Sequence, residues 1–175
     1  MRYATSNATT ETYATQLSFS FDVPLVYNLS STNFEAEGSA MLTLSGWNFG
    51  TADMSNRIVI GQTACQGQDP WTSDTAMVCR VAAGVGAGLG LSLVMQGQGG
   101  DETVLQPYSL SYDRVTVTGV RPNNGPISGN ITLTILGANF GAFDNSPLAK
   151  VESTSCQSSV WVSSSTVLCK VRTTL

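Results

Sequence analysis

Short stretches in which apolar and polar residues alternate recur along the chain. Residues 40–45 and 131–136 are two of them, rich in leucine, isoleucine and threonine. Alternation with a period of two predicts β-strands with one buried face. Clusters of glycine, asparagine and proline, such as residues 121–126, separate these stretches as turns do. Residues 82–90 are small and apolar, but their four glycines would each cost a helix about 1 kcal/mol. The pattern predicts an all-β protein.

One segment of the pattern occurs twice. The pentapeptide Gly46-Trp47-Asn48-Phe49-Gly50 returns 91 positions later as Gly137-Ala138-Asn139-Phe140-Gly141. A cysteine, a tryptophan, a Ser/Thr-rich turn and a second cysteine follow each motif in the same order. These residues are Cys65, Trp71 and Cys79 in the first copy and Cys156, Trp161 and Cys169 in the second. We therefore expect two tandem copies of one fold, each of about 90 residues and roughly seven strands, the size of an immunoglobulin-like sandwich.

The two copies are out of phase with the chain ends, because residues 1–22 correspond to residues 92–113 at the same spacing. We predict that residues 1–22 are the final strands of a preceding unit and that residues 23–113 form the first sandwich. Residues 114–175 are then a second sandwich that lacks its last two strands. Within the first segment, Leu17, Phe19 and Phe21 are predicted to be the residues that a neighbouring copy accepts during assembly.

The four cysteines form two pairs of similar spacing, Cys65 with Cys79 and Cys156 with Cys169. This spacing predicts one local disulfide bond per unit, which contributes about 3 kcal/mol to stability in the chain-entropy model. Free or metal-bound thiols are the alternative, although the chain has no histidine and no Cys-x-x-Cys spacing with which to build a zinc site. We predict no metal and no cofactor.

The repeated pentapeptide is expected to be a structural turn. Glycine permits positive φ where a strand ends, asparagine tolerates the left-handed region, and phenylalanine closes the end of the sandwich. The residues assigned to this role are Gly46, Asn48, Phe49, Gly50, Gly137, Asn139, Phe140 and Gly141. Asp53 and Asp144 raise calcium binding as an alternative, but one carboxylate per loop is too few for a strong site. Trp71 and Trp161 are expected to cover the disulfide bonds and fill the core, with stacking on sugars or a partner as the alternative.

The composition indicates a surface of hydroxyl and amide groups. Charged residues make up 11 %, against about 25 % in an ordinary soluble domain. A net charge of −4 without a basic stripe argues against nucleic acid as a partner. No apolar stretch reaches the roughly 20 residues of a membrane-spanning helix, so we predict no membrane insertion within this segment.

The first residues also lack the apolar run of a signal peptide, so we expect a segment of a longer protein. Together with the cysteines, the composition predicts an extracellular or cell-surface location. In that setting the sequons at Asn7, Asn28 and Asn130 are candidate sites for covalent glycans.

Catalysis finds no support in the sequence. Without histidine there is no Ser-His or Cys-His pair, and the acidic residues are not paired as glycoside hydrolysis requires. Residues 84–90 are rich in glycine but lack the lysine of a phosphate-binding loop. We predict that the chain is not an enzyme.

The motifs of both units resemble the IPT/TIG domains of plexins, of receptors of the hepatocyte-growth-factor type and of fibrocystin-like ectodomains. The second unit carries the resemblance at residues 122–125, 129–134 and 137–141, Cys156, residues 163–166 and Cys169. The first carries it at Gly38, residues 42–44 and 46–50, Cys65, Trp71 and Cys79. It has Ser31-Thr32-Asn33-Phe34 in place of the opening Pro-x-x-Gly turn. The resemblance implies an immunoglobulin-like sandwich with an internal disulfide bond in each unit, a fold that serves many functions.

An incomplete sandwich exposes unpaired backbone and apolar core, and residues 1–22 are equivalent to the strands that the second unit lacks. We therefore predict a structural protein, the repeat unit of a glycosylated stalk or helical fibre. Its partners are other copies of itself, bound head to tail by strand complementation. A ligand-binding or adhesion module of a receptor-like ectodomain is one alternative, and an accessory domain of a secreted carbohydrate-active enzyme is another.

Overall fold

A computed structural model describes residues 21–67, 70–97 and 100–172. These ranges contain strands and no helix, so the all-β prediction is confirmed. In chain order the strands are β1 Leu25–Leu29, β2 Asn33–Phe34, β3 Met41–Trp47, β4 Arg57–Ile60, β5 Thr63–Ala64, β6 Trp71–Ser73, β7 Ala76–Arg80, β8 Leu89–Gly97, β9 Gly100–Tyr112, β10 Thr116–Arg121, β11 Thr132–Ala138, β12 Lys150–Val151, β13 Thr154–Ser155, β14 Ser158–Ser163 and β15 Thr166–Lys170.

The first unit is a sandwich of two sheets, with strand orders β1-β3-β7-β6 and β2-β9-β8-β4-β5. The predicted alternation places one face of each strand inside. In β3, Leu42 and Leu44 are buried whereas Met41 is exposed. The core between the sheets consists of Val26, Phe34, Leu42, Leu44, Phe49, Ile58, Ile60, Met77, Cys79, Val81, Leu91, Leu93, Leu110 and Tyr112. The last four of these lie on β8 and β9, so the closing pair of strands supplies much of one wall of the core.

The second unit repeats the first sheet with the order β10-β11-β15-β14. The pairing of Val117 with Gly137 reproduces that of Val26 with Gly46, and the same register shift follows in both ladders. The hairpin β12–β13 stands where β4–β5 stands in the first unit. Within the part of the chain that the structure describes, no strand takes the places of β8 and β9.

Each unit contains one disulfide bond. Cys65 is joined to Cys79 and Cys156 to Cys169, with Cα–Cα distances of 5.8 and 5.6 Å. In the first unit the bond runs from Cys65, directly after β5, to Cys79 in β7, which belongs to the other sheet. The disulfide bond therefore links the two sheets covalently and holds them together in addition to the hydrophobic core.

Candidate functional site

The inner face of the second unit's four-stranded sheet is exposed on β10, whereas Leu133, Val167 and Cys169 on β11 and β15 are buried. Val117 is 63 % exposed, whereas its counterpart Val26 in the first unit is 2 % exposed. Val151 on β12 is 42 % exposed, and its counterpart Ile60 is 4 % exposed. In the first unit Val26 and Ile60 belong to one core that also contains residues of β8 and β9, whereas the described part of the second unit has no strands in those two places. We call this surface the open face, formed by Val115, Val117, Ile135, Phe140, Leu148 and Val167.

The open face surrounds a cavity of about 420 Å³. Phe140 and Val167 are buried at its base, and Leu148 stands exposed at its border. Val85 of the first unit also borders the cavity. A Cβ atom added to Gly141 would lie 3.1 Å from Val85 Cγ1, so this glycine lets the two units approach each other. With these apolar walls, the cavity suits apolar side chains better than a charged ligand.

The strand edge next to the open face differs between the two units. In the first unit, β4 pairs with β8 from Arg57↔Val94 to Ile60↔Leu91. In the second unit, β12 pairs with β13, and none of the described strands pairs with its other edge. A free edge of this kind is a template for an added strand. The site therefore combines an apolar groove with an edge of the short strand β12 that no described strand pairs with.

The asparagine of each repeated pentapeptide joins the turn to the strand that opens its unit. Asn48 and Asn139 have φ values of 64° and 65°. Asn48 Nδ2 donates a hydrogen bond to the Val23 carbonyl (3.3 Å), and Asn139 Nδ2 donates one to the Arg114 carbonyl (3.0 Å). The turn thereby fixes where β1 and β10 begin, which places Val26 and Val117 on the inner face.

The two glycines of the pentapeptide act differently. Gly50 and Gly141 have φ values of 99° and 97°, as expected from the turn. The positive φ expected for Gly46 and Gly137 is wrong: these residues lie in strands β3 and β11 with negative φ. A Cβ at Gly46 would collide with the Leu25 carbonyl oxygen and the Phe49 ring. The first glycine is thus needed for close packing of the phenylalanine, which is fully buried in the first unit.

The tryptophans have a contact that sequence reasoning missed. Trp71 Nε1 donates a hydrogen bond to the Gly50 carbonyl (3.0 Å), and Trp161 Nε1 donates one to the Gly141 carbonyl (3.3 Å). Trp71 also packs, half-buried, against the core. The number of residues between the pentapeptide and the tryptophan is nearly the same in the two units, and this spacing is the signal that could have predicted the contact.

The side chains of Asp53 and Asp144 take part in turns. Their Oδ1 atoms accept hydrogen bonds from the backbone amides of Ser55 (2.9 Å) and Ser146 (2.8 Å). Among the described residues, no group of three or more His, Cys, Asp or Glu side chains is arranged to hold a metal ion. The sequon residues Asn28 and Asn130 are exposed, which leaves both open to modification.

Part of the predicted assembly segment and one sequon lie outside the described residues, namely Leu17, Phe19 and Asn7. Phe21 is described and is 86 % exposed.

An aromatic pair on the outer surface of the first unit was not predicted from the sequence. The rings of Tyr27 and Trp47 lie 4.5 Å apart at an interplanar angle of 41°, and each residue is 51 % exposed. The corresponding positions of the second unit hold Thr118 and Ala138. The pair is therefore a feature of the first unit and not of the repeat.

One ionisable group has a pKa that clearly differs from its ordinary value. Burial raises the pKa of Tyr112 above its ordinary value, because the phenolate would lose its hydration. The Tyr112 hydroxyl donates a hydrogen bond to the Ala82 carbonyl (2.8 Å), which ties the end of β9 to the loop after β7.

The described ranges hold no helix that is long and apolar enough to cross a membrane.

A family model described as IPT/TIG domain matches residues 24–112 and 115–174. Among solved structures, the chain is similar to the plexin A4 extracellular region, with 19 % identity, a TM-score of 0.45 and coverage of 86 % of this chain and 15 % of plexin A4. It is also similar to the surface glycan-binding protein PbSGBP-B from Prevotella bryantii, with 14 % identity, a TM-score of 0.49 and coverage of 89 % and 38 %. An auxiliary nutrient binding protein from Bacteroides thetaiotaomicron matches at 14 % identity and a TM-score of 0.43, with coverage of 88 % and 39 %. The chain spans less than half the length of each of these proteins.

Proposed function

From the premise that this chain belongs to the IPT/TIG domain family, we propose that it is a non-catalytic extracellular structural protein. It is the repeat unit of a glycosylated stalk or helical fibre in which each sandwich is completed by strands from its neighbour. The open face carries this proposal: it combines an apolar groove with an edge of β12 that none of the described strands pairs with, and the counterpart of its Val117, Val26, is buried in the first unit.

The first residues of the chain have the sequence that such a cover needs. At the repeat spacing, Leu17, Phe19 and Phe21 correspond to Tyr108, Leu110 and Tyr112 of β9. Leu110 and Tyr112 are buried in the first unit, and Tyr108 packs against its core. The apolar residues near the start of the chain therefore correspond in sequence to residues of β9 that face the core of the first unit.

Assembly through this contact is head to tail, since the start of one copy meets the second unit of the next. Such a heterologous contact does not close on itself unless its rotation forms a ring, so it propagates into a filament. A longer polypeptide built from the same repeats reaches the same arrangement through covalent continuity. Both versions use the open face as the joint between repeats.

Two observations support the extracellular part of the proposal. Each unit is closed by a disulfide bond, and such bonds persist in oxidising compartments. Two of the three sequons are exposed in the described residues. Intact-mass measurement of native material, before and after deglycosylation and reduction, should show two disulfide bonds and added hexose mass.

Electron microscopy and sedimentation velocity of the purified chain test the assembly. Wild-type protein should form filaments, and Phe19→Asp should abolish them because a carboxylate cannot enter the apolar groove without a large desolvation cost. Ser18→Asp is the matched control, since its counterpart Ser109 faces solvent in β9 and the charge stays hydrated. Stable monomers of 18.4 kDa at all concentrations of the wild-type chain would refute the proposal.

A recognition module is the second candidate function, and the exposed Tyr27–Trp47 pair favours it. Aromatic faces of this kind bind sugar rings or apolar partners, and this pair is not shared by the second unit. Affinity electrophoresis in gels containing soluble polysaccharides tests this function. Retardation would favour recognition over a purely structural function if Trp47→Ala removes it and Met41→Ala preserves it. Met41→Ala is the control because it is an exposed change on the same strand.

A further inference from the structure

A polar cluster secures the closing strand of the first unit at one end. Asn33 Nδ2 donates a hydrogen bond to Asp113 Oδ1 (2.6 Å), and Ser111 Oγ donates one to Asn33 Oδ1 (2.7 Å). Asn33 lies on β2, which runs parallel to β9 with Asn33 opposite Ser111. One amide side chain thus uses both its donor and its acceptor, to hold Ser111 in the closing strand and Asp113 directly after it.

The second unit contains half of the same cluster. Asn124 occupies the position of Asn33 at the repeat spacing. Its side chain is exposed and has no hydrogen-bond partner among the described residues. The other half stands at the start of the chain, where Ser20 and Asp22 occupy the positions of Ser111 and Asp113. The three residue types of the cluster are therefore conserved between the two repeats, but they are divided between the two ends of the chain.

We propose that Asn124 of one copy binds Ser20 and Asp22 of another, and that this clamp sets the register of the joint between copies. The inference rests on the proposed assembly and adds the residues that make it specific. In the proposed joint, Asn124 Nδ2 donates to the Asp22 carboxylate and Ser20 Oγ donates to Asn124 Oδ1. These two hydrogen bonds correspond to those among Asn33, Asp113 and Ser111 in the first unit.

Apolar contacts alone do not define this register. Leu17, Phe19 and Phe21 alternate with period two, so a slip of two residues still places two of them in the groove. The same slip moves Ser20 and Asp22 away from Asn124 and leaves the carboxylate without its donor. A hydrogen bond to a charged group is stronger than one between neutral groups, so the clamp favours one register over its neighbours.

A double-mutant cycle on the full chain tests the clamp, with the self-association constant measured by sedimentation velocity. Asn124→Ala and Asp22→Ala should each weaken association about tenfold or more, as expected for loss of a charge-assisted hydrogen bond. The double variant should be no weaker than either single variant, because both remove the same contact. The exchanged pair D22N/N124D should restore association, since the donor and the acceptor change places. Asn123→Ala, at the exposed neighbouring position, is the matched control and should have no effect.

The outcomes separate the clamp from the assembly itself. If Phe19→Asp abolishes filaments while N124A and D22A leave association unchanged, the clamp is wrong and the proposed assembly stands. If the two single variants weaken association independently and the exchange fails to restore it, the residues are not paired and the clamp is again wrong. If the wild-type chain remains monomeric, the assembly fails and the clamp fails with it.

Discussion

Single side chains explain why the pentapeptide Gly-x-Asn-Phe-Gly occurs twice. The first glycine leaves room for the phenylalanine ring and for the carbonyl oxygen of the neighbouring strand, Leu25 in the first unit. The asparagine occupies the left-handed region and bonds back to the opening strand. The last glycine accepts the tryptophan hydrogen bond while its φ is positive. Each residue of the motif thus meets a separate steric or hydrogen-bonding requirement.

Substitution of Gly46 tests the steric requirement. Gly46→Ala should lower the free energy of unfolding of the first unit by about 1–3 kcal/mol, the usual cost of forcing an extra methyl group into a packed site. Urea unfolding followed by tryptophan fluorescence measures the change. Gly90→Ala in β8 is the control, because nothing lies within 4 Å of a Cβ at that position. An equal effect of the two substitutions would contradict the assigned role of Gly46.

Titration of the Tyr112 hydroxyl makes the first unit less stable as the pH rises into the alkaline range. Its folded-state pKa lies above the unfolded value of about 10, so the folded state retains the phenolic proton longer. This contribution is complete below about pH 10 and is lost as the pH rises through the folded pKa. Thermal unfolding between pH 7 and 11 should therefore show a steeper alkaline loss for the wild type than for Tyr112→Phe. Parallel curves would show that Tyr112 does not titrate differently in the two states.

At the scale of elements, the two units differ in how well local sequence suits the same backbone. The turn between β4 and β5 has Gly61 at a φ of 63°, and the turn between β12 and β13 has Glu152 at a φ of 53°. A residue with a Cβ is strained in this left-handed region, whereas glycine is not. The hairpin that borders the open face is thus less favourable than its counterpart in the complete sandwich.

Replacement of this residue should strengthen the hairpin. Glu152→Gly should stabilise the second unit by about 0.5–1 kcal/mol, since relief of the strain exceeds the added entropy of the unfolded chain. The urea midpoint of amide NMR signals from β11 and β15 reports the change. Thr154→Gly, in the adjacent strand, should instead destabilise the unit, because glycine weakens a strand. The prediction fails if both variants shift the midpoint in the same direction.

At the scale of the whole molecule, two nearly identical sheets have different surroundings. The ladder β1–β3 and the ladder β10–β11 share their register, but the second sheet of the first unit covers only the former. Burial of a valine side chain contributes about 1.5 kcal/mol or more, so the exposure of Val117 and Val151 reduces what the core of the second unit contributes to stability. Among the described residues, the first unit therefore has the fuller hydrophobic core.

Hydrogen exchange at matched positions tests whether the second unit is less stable than the first. In dilute solution, amides of β10 and β11 should exchange at least about tenfold faster than their equivalents in β1 and β3, because the second unit opens more readily. In assembled material the two sets should become similar, since the open face is then covered. Equal exchange rates in dilute monomer would show that the second unit needs no cover.

The sequence alone was sufficient for the features that are local or periodic. Alternation predicted the strands, and the spacing of the repeat placed Cys65, Cys79 and the pentapeptide at matching positions in each unit. These properties are readable because side-chain direction in a strand and the order of motifs along the chain depend only on neighbouring residues. The type of fold followed from the same pattern.

Only the tertiary structure decided what lies on each face and which distant residues meet. It showed that Val117 is exposed where Val26 is buried, and that Asn33 meets Asp113 across 80 positions. It also showed that Gly46 is required by space and not by φ. Such contacts depend on how whole sheets stack, and residues with the same local sequence differ according to whether a second sheet covers them.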